Sequence, residues 1–177
     1  TPPGEVGDVS LEEPIQASEV DPVIVVLGHQ PDRVRTAIAD YDVTLVENSK
    51  YVEGLSTSLT RGLSALPKEI DGVVVCLGDM PDVTTAHIVR LIEAFAPDEG
   101  CDICVPTFNG KRGNPILWAR RYFDEMTHTE GDMGARHLIG KYADAVSEVV
   151  MPDGGVLLDL DTPEAIAAHA WTHECER

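Results

Sequence analysis

Val73-Val74-Val75-Cys76-Leu77-Gly78-Asp79-Met80-Pro81 is an apolar run that stops at a glycine, a carboxylate and a proline. With three valines and too few residues for a helix, Val73 to Leu77 reads as a doubly covered strand of a parallel sheet. That reading puts Asp79 at the carboxyl end of a central strand, where open α/β sheets hold their ligands. The plainer use of such an aspartate is to cap the helix that begins near Thr84.

A second apolar run meets carboxylates in Val156-Leu157-Leu158-Asp159-Leu160-Asp161-Thr162-Pro163-Glu164. Val156 to Leu160 reads as a strand, Thr162 as an N-cap and Pro163 as the first residue of a helix reaching about Ala170. Alternation sends Asp159 and Asp161 to one side of that strand and Leu160 to the other. If the two strand ends meet in space, Asp79 and Asp161 converge on a site for a hard divalent cation. Magnesium takes few carboxylates and keeps its other positions for water and phosphate oxygens, so two or three aspartates suffice.

Between these runs, strand and helix alternate. Strands are expected at Val23 to Leu27, Val43 to Val46, Ile103 to Val105 and Val146 to Val150. Helices are expected from Pro31 to Tyr41, Gly54 to Leu66, Thr84 to Phe95, Arg120 to Met126 and Met133 to Tyr142. Leu55, Leu59, Leu63 and Leu66 mark the apolar face of the second of these. The alternation predicts an α/β fold of three layers around a mainly parallel, doubly wound sheet.

The 177 residues fit a single core, expected to span 23–170 between an irregular amino-terminal stretch, 1–22, and a tail, 171–177. A formal charge of −18, from 13 Lys and Arg against 31 Asp and Glu, argues against nonspecific nucleic-acid binding or attachment to an anionic membrane. A phosphate-bearing substrate then needs a metal or a local basic pocket. The apolar runs fall short of a membrane span and no signal sequence opens the chain, so a cytoplasmic enzyme or binding protein is expected. Cys101 and Cys104 form a CxxC without a second pair, which favours packing over zinc.

Five segments in order resemble the molybdenum cofactor cytidylyltransferase family of MobA-like NTP transferases. They are Gly54-Leu55-Ser56-Thr57-Ser58-Leu59-Thr60-Arg61-Gly62, Leu77-Gly78-Asp79-Met80-Pro81, Arg112-Gly113-Asn114-Pro115, Gly131-Asp132-Met133-Gly134-Ala135-Arg136 and Asp159-Leu160-Asp161-Thr162-Pro163. The resemblance implies a nucleotidyltransferase fold of the GT-A, Rossmann-like type. It implies transfer of CMP from CTP to the terminal phosphate of molybdopterin, with release of pyrophosphate, for a molybdenum hydroxylase apo-enzyme downstream. Asp79 and Asp161 would be catalytic and would hold Mg²⁺, with Asp159 as a third ligand or a partner behind it. Ser58, Leu59, Gly62, Gly78 and Asp79 would meet the nucleotide, and Arg112, Gly113, Asn114, Pro115 and Arg136 the acceptor.

The family also carries an amino-terminal strand followed by a glycine-rich, basic loop that wraps the triphosphate. No such segment stands in this sequence, which begins at Thr1; the expectation is that it was omitted or is disordered. The residues leave other readings open. They are guanylyl transfer from GTP to the same pterin, nucleotidyl transfer to a sugar phosphate or alcohol phosphate, and a noncatalytic carrier of the finished cofactor.

Overall fold

The computed structural model describes residues 20–128 and 135–157. Asp132, Asp159, Asp161 and the helix expected after Pro163 lie outside the described residues.

The chain opens with strand β1 (Ile24–Leu27), helix α1 (Pro31–Ala37), strand β2 (Thr44–Glu47) and helix α2 (Leu55–Ala65). β1 and β2 pair in parallel, with Ile24 opposite Thr44 and Leu27 opposite Glu47. Strand β3 (Gly72–Val75) and helix α3 (Thr85–Ala94) follow, then β4 (Ile103–Phe108), β5 (Lys111–Arg112) and β6 (Ile116–Ala119). Helices α4 (Phe123–Thr127) and α5 (Arg136–Lys141) and strand β7 (Val146–Val150) complete the described elements.

The larger sheet runs β3-β6-β4-β5, with β7 pairing β4. β6 is antiparallel to both β3 and β4, while β7 is parallel to β4. β3, β4 and β7 therefore run one way, and β6 is a reversed strand between them. Two expectations need correction. Among the described residues β3 forms a ladder on one side only, so it is an edge of this sheet and not its centre. Its four residues are half-buried, whereas all four of β6 are buried. The strand expected from Val156 is not seen either: Val156 and Leu157 belong to a 3₁₀ turn, Gly155–Leu157.

Alternation along β4 and β6 makes the layers. Ile103, Val105, Ile116 and Trp118 face a core shared with Leu63 of α2, Met126 of α4 and Leu138 of α5. Cys104 and Leu117 face the other way, onto Leu91 of α3, Met151 and Val156. Each such buried side chain contributes about 1.5–3 kcal/mol relative to an exposed one, so both faces have reason to stay covered. Three layers result, as the sequence implies. Cys104 packs in this interior and burial pushes its thiol up to about 11, which fits the packing use of the CxxC. No helix among the described residues is long and apolar enough to cross a membrane.

Candidate active site

The loop after β3 is pinned through its apolar side chains. Met80 and Val83 are buried with Ile88 of α3, against Val20, Val74 and Leu77. This anchorage leaves Asp79 half-buried, with its Oδ1 atom shielded from solvent and without a hydrogen-bond partner. A buried carboxylate oxygen without a partner is costly and calls for a donor or a cation. Helix capping is not its use. Thr84 is the N-cap of α3, and its capping box is closed by His87. Gly78, one residue earlier, is exposed and has open space on its Cα.

Three stretches distant in sequence meet around the turn Gly155–Leu157. A Cβ on Gly155 would stand 2.3 Å from the carbonyl oxygen of Asp82, so only glycine lets that backbone touch the Asp79 loop. On the opposite flank Asn114 donates its backbone N–H to the Val156 carbonyl at 2.9 Å. Gly155 and Val156 together thus bridge the Asp79 loop and the Arg112-Gly113-Asn114-Pro115 turn, in which Gly113, Asn114 and Pro115 are all buried.

Arg112, Gly113 and Arg136 line one cavity of about 280 Å³, with Val105, Ile116, Ile139 and Gly140. The cavity combines apolar side chains with two arginines from different elements, Arg112 of β5 and Arg136 of α5. Arg112 Nε donates to Glu148 Oε1 at 2.8 Å, which aims its fork and leaves its other nitrogens available. Arg136 is exposed and pairs with no carboxylate among the described residues.

Ser58, Leu59 and Gly62 form a separate group on α2. Leu59 packs on the core beside Leu63, and a Cβ on Gly62 would come 3.2 Å from Val26 Cγ2, so these two serve helix packing through their side-chain positions. Ser58 differs. Its Oγ accepts a hydrogen bond from Asn48 Nδ2 at 3.0 Å, while the same amide donates to Thr57 Oγ1 at 2.9 Å. Asn48, which sequence reasoning missed, is buried at the carboxyl end of β2 and takes its own register from a 2.8 Å bond to the Leu27 carbonyl. Because Ser58 Oγ already accepts one bond, its hydroxyl proton can be donated outward.

A divalent cation fits the part of the site that is described. Asp79 offers the hard oxygen that such ions take, and the oxygen is buried and unpartnered. Among the described residues no group of three His, Cys, Asp or Glu side chains gathers as a metal set; Asp159 and Asp161 lie beyond them.

The family model of the MobA-like NTP transferase domain matches residues 12–146. The chain is 41% identical over 76 residues to the bifunctional protein GlmU of Kineococcus radiotolerans, covering 42% of this chain and 16% of GlmU. It is 37% identical over 97 residues to the purine catabolism protein PucB of Bacillus subtilis, 53% of this chain and 44% of PucB. It therefore spans less than half the length of either relative. Over 164 residues it is 26% identical to the molybdenum cofactor cytidylyltransferase of Escherichia coli, 91% of this chain and 79% of that one. Among solved structures, Rv0371c of Mycobacterium tuberculosis in complex with manganese superposes with a TM-score of 0.74 at 28% identity, covering 90% of this chain and 83% of that one.

Proposed function

From the premise that this chain belongs to the MobA-like NTP transferase domain family, we propose that it transfers CMP from CTP to the terminal phosphate of molybdopterin, releasing pyrophosphate. The observation that carries this reading is the cavity of Arg112 and Arg136 over Val105, Ile116 and Ile139. Its apolar floor suits a flat heterocycle, and its two guanidinium forks suit the phosphate attached to it. Similarity to the E. coli cytidylyltransferase over 91% of the chain supports the same choice.

In this reading the acceptor phosphate oxygen attacks the α-phosphorus of CTP. A new P–O bond forms, the bond to the β-phosphate breaks, and pyrophosphate leaves with the electron pair. The nucleophile is already ionised, so no side chain need remove a proton. Positioning and charge compensation make up the catalysis. Arg112 and Arg136 hold the acceptor phosphate, and the buried Gly113-Asn114-Pro115 turn keeps Arg112 in place. The Ser58 hydroxyl, oriented by Asn48, donates toward the nucleotide, and exposed Gly78 lets the backbone come close to it. Asp79, with Asp161 and Asp159, would hold Mg²⁺, which when bound would offset negative charge on the phosphates. The soluble partners of this reading are CTP and molybdopterin, with a molybdenum hydroxylase apo-enzyme receiving the product in the cytoplasm.

The test is pyrophosphate release by the full chain with Mg²⁺ and molybdopterin, with CTP and GTP in parallel. Release from CTP is expected. Preference for GTP would move the reading to guanylyl transfer, and turnover with a sugar phosphate in place of the pterin would move it to that acceptor class. Tight pterin binding without turnover of any nucleotide would overturn catalysis in favour of a carrier.

A further inference from the structure

His87 is fully buried, and its two ring nitrogens face different parts of the chain. Nδ1 accepts the backbone N–H of Thr84 at 3.1 Å, the capping-box role usually given to Glu or Gln. That acceptor role places the ring proton on Nε2. Nε2 stands 3.1 Å from Asp153 Oδ1, at ion-pair distance though not lined up for a hydrogen bond. The same Oδ1 accepts the backbone N–H of Gly155 at 2.9 Å. One imidazole therefore joins the start of α3, which the Asp79 loop leads into, to the turn that touches Asp82 and the acceptor loop.

Stability alone gives little reason for this arrangement. A buried imidazole beside a carboxylate whose side chain is 59% exposed is a poor substitute for a leucine in a packed core. The group does have a geometric consequence. Asp79 lies eight positions before His87. The contact between His87 and Asp153 holds the start of α3, and the Asp79 loop before it, beside the Gly155–Leu157 turn.

We infer that His87 and Asp153 are positioning residues for Asp79 at the cation site, a clasp that holds the Asp79 loop against the Gly155–Leu157 turn. The inference rests on the reading of Asp79 as a cation ligand. His87 never meets the cation. It sets the presentation of Asp79 through Thr84 on one side and through Asp153 and Gly155 on the other, as outer partners of metal ligands do.

The test is Mn²⁺ binding by the full chain, followed by the electron paramagnetic resonance of the free ion, together with hydrogen exchange of the amides within residues 79–83, those of Asp79, Met80, Asp82 and Val83. Asp153 is exposed enough that Asp153→Ala should fold, which its circular dichroism checks. That variant is expected to bind Mn²⁺ about tenfold or more weakly and to exchange faster at residues 79–83. Asp153→Asn keeps the accepting oxygen and should bind within about threefold of the native chain. Native-like Mn²⁺ affinity in Asp153→Ala would overturn the clasp. Asp79→Asn separates the two ideas: if it binds Mn²⁺ like the native chain, the cation reading falls. Exchange at residues 79–83 then judges the clasp alone, and unchanged rates in Asp153→Ala overturn it.

Discussion

Gly113 lies so close to Val156 that a Cβ added to it would stand 2.1 Å from the Val156 carbonyl oxygen. Neither atom is a flexible tip. Both are backbone, held by the Asn114 N–H bond to the same oxygen at 2.9 Å. The Arg112-Gly113-Asn114-Pro115 loop and the turn after β7 can meet only because Gly113 lacks a side chain.

Gly113→Ala is therefore expected to destabilise the protein by about 1–3 kcal/mol, the cost of forcing atoms into a packed region. Urea unfolding measures it. Gly78→Ala is the contrast: nothing lies within 4 Å of the position its Cβ would take, and its stability should stay within about 0.5 kcal/mol of the native chain.

Asp79→Asn keeps the shape of the side chain and removes its charge. The buried Oδ1 has no protein partner to lose, so the fold should hold. Pyrophosphate release should fall about a hundredfold or more, the scale of losing one preorganised electrostatic element. Wild-type turnover in this variant would end the role proposed for Asp79.

Arg112→Ala and Arg136→Ala should each raise the KM for the phosphate acceptor about tenfold to a hundredfold, equivalent to about 1.5–3 kcal/mol for a charge-assisted hydrogen bond. KM for CTP should move little. Steady-state kinetics with each substrate varied in turn separates the two. Glu148→Gln, which loosens the grip on Arg112 Nε, should give a smaller effect of the same sign.

Asn48→Ala removes the amide that donates to the hydroxyls of both Thr57 and Ser58. Loss of these bonds in a buried setting should cost about 1–3 kcal/mol of stability. It should also weaken nucleotide binding, measured by calorimetry. Ser58→Ala, which keeps Asn48, should reproduce the binding loss with less of the stability loss.

The acid limb of stability should report on Glu125. The hydrogen bond from Lys141, then that from the Tyr142 hydroxyl, hold its carboxyl below the usual range. A carboxyl lowered on folding contributes stability above its unfolded value, about 4.3. That contribution is lost as pH falls through the lower folded value. Glu125→Gln should therefore flatten the decline of the urea midpoint below about pH 4.3, with little change in the shape of the curve above it.

The local pattern made most of the elements legible. Val146–Val150 is a strand with the expected bounds, and Leu55–Ala65 is a helix whose Leu59 and Leu63 face the core. These follow from periodicity, which a chain carries in itself. β6 went unread because Ile116–Ala119 is four residues behind a proline, too short for a period to declare itself. The turn at Gly155–Leu157 went unread for a related reason: an apolar run can be buried by the three residues that turn as well as by a strand.

For the site, the sequence by itself placed a carboxylate at the end of an apolar run and two arginines in separate motifs, because composition and spacing along the chain determine such facts. Only the tertiary structure set Arg112, Gly113 and Arg136 around one cavity. It alone left Asp79 Oδ1 buried without a partner and brought His87 to Asp153 across 66 positions of sequence. The physical reason is that packing and desolvation depend on which segments meet. A contact partner 66 residues away leaves no periodic mark on the sequence near either residue.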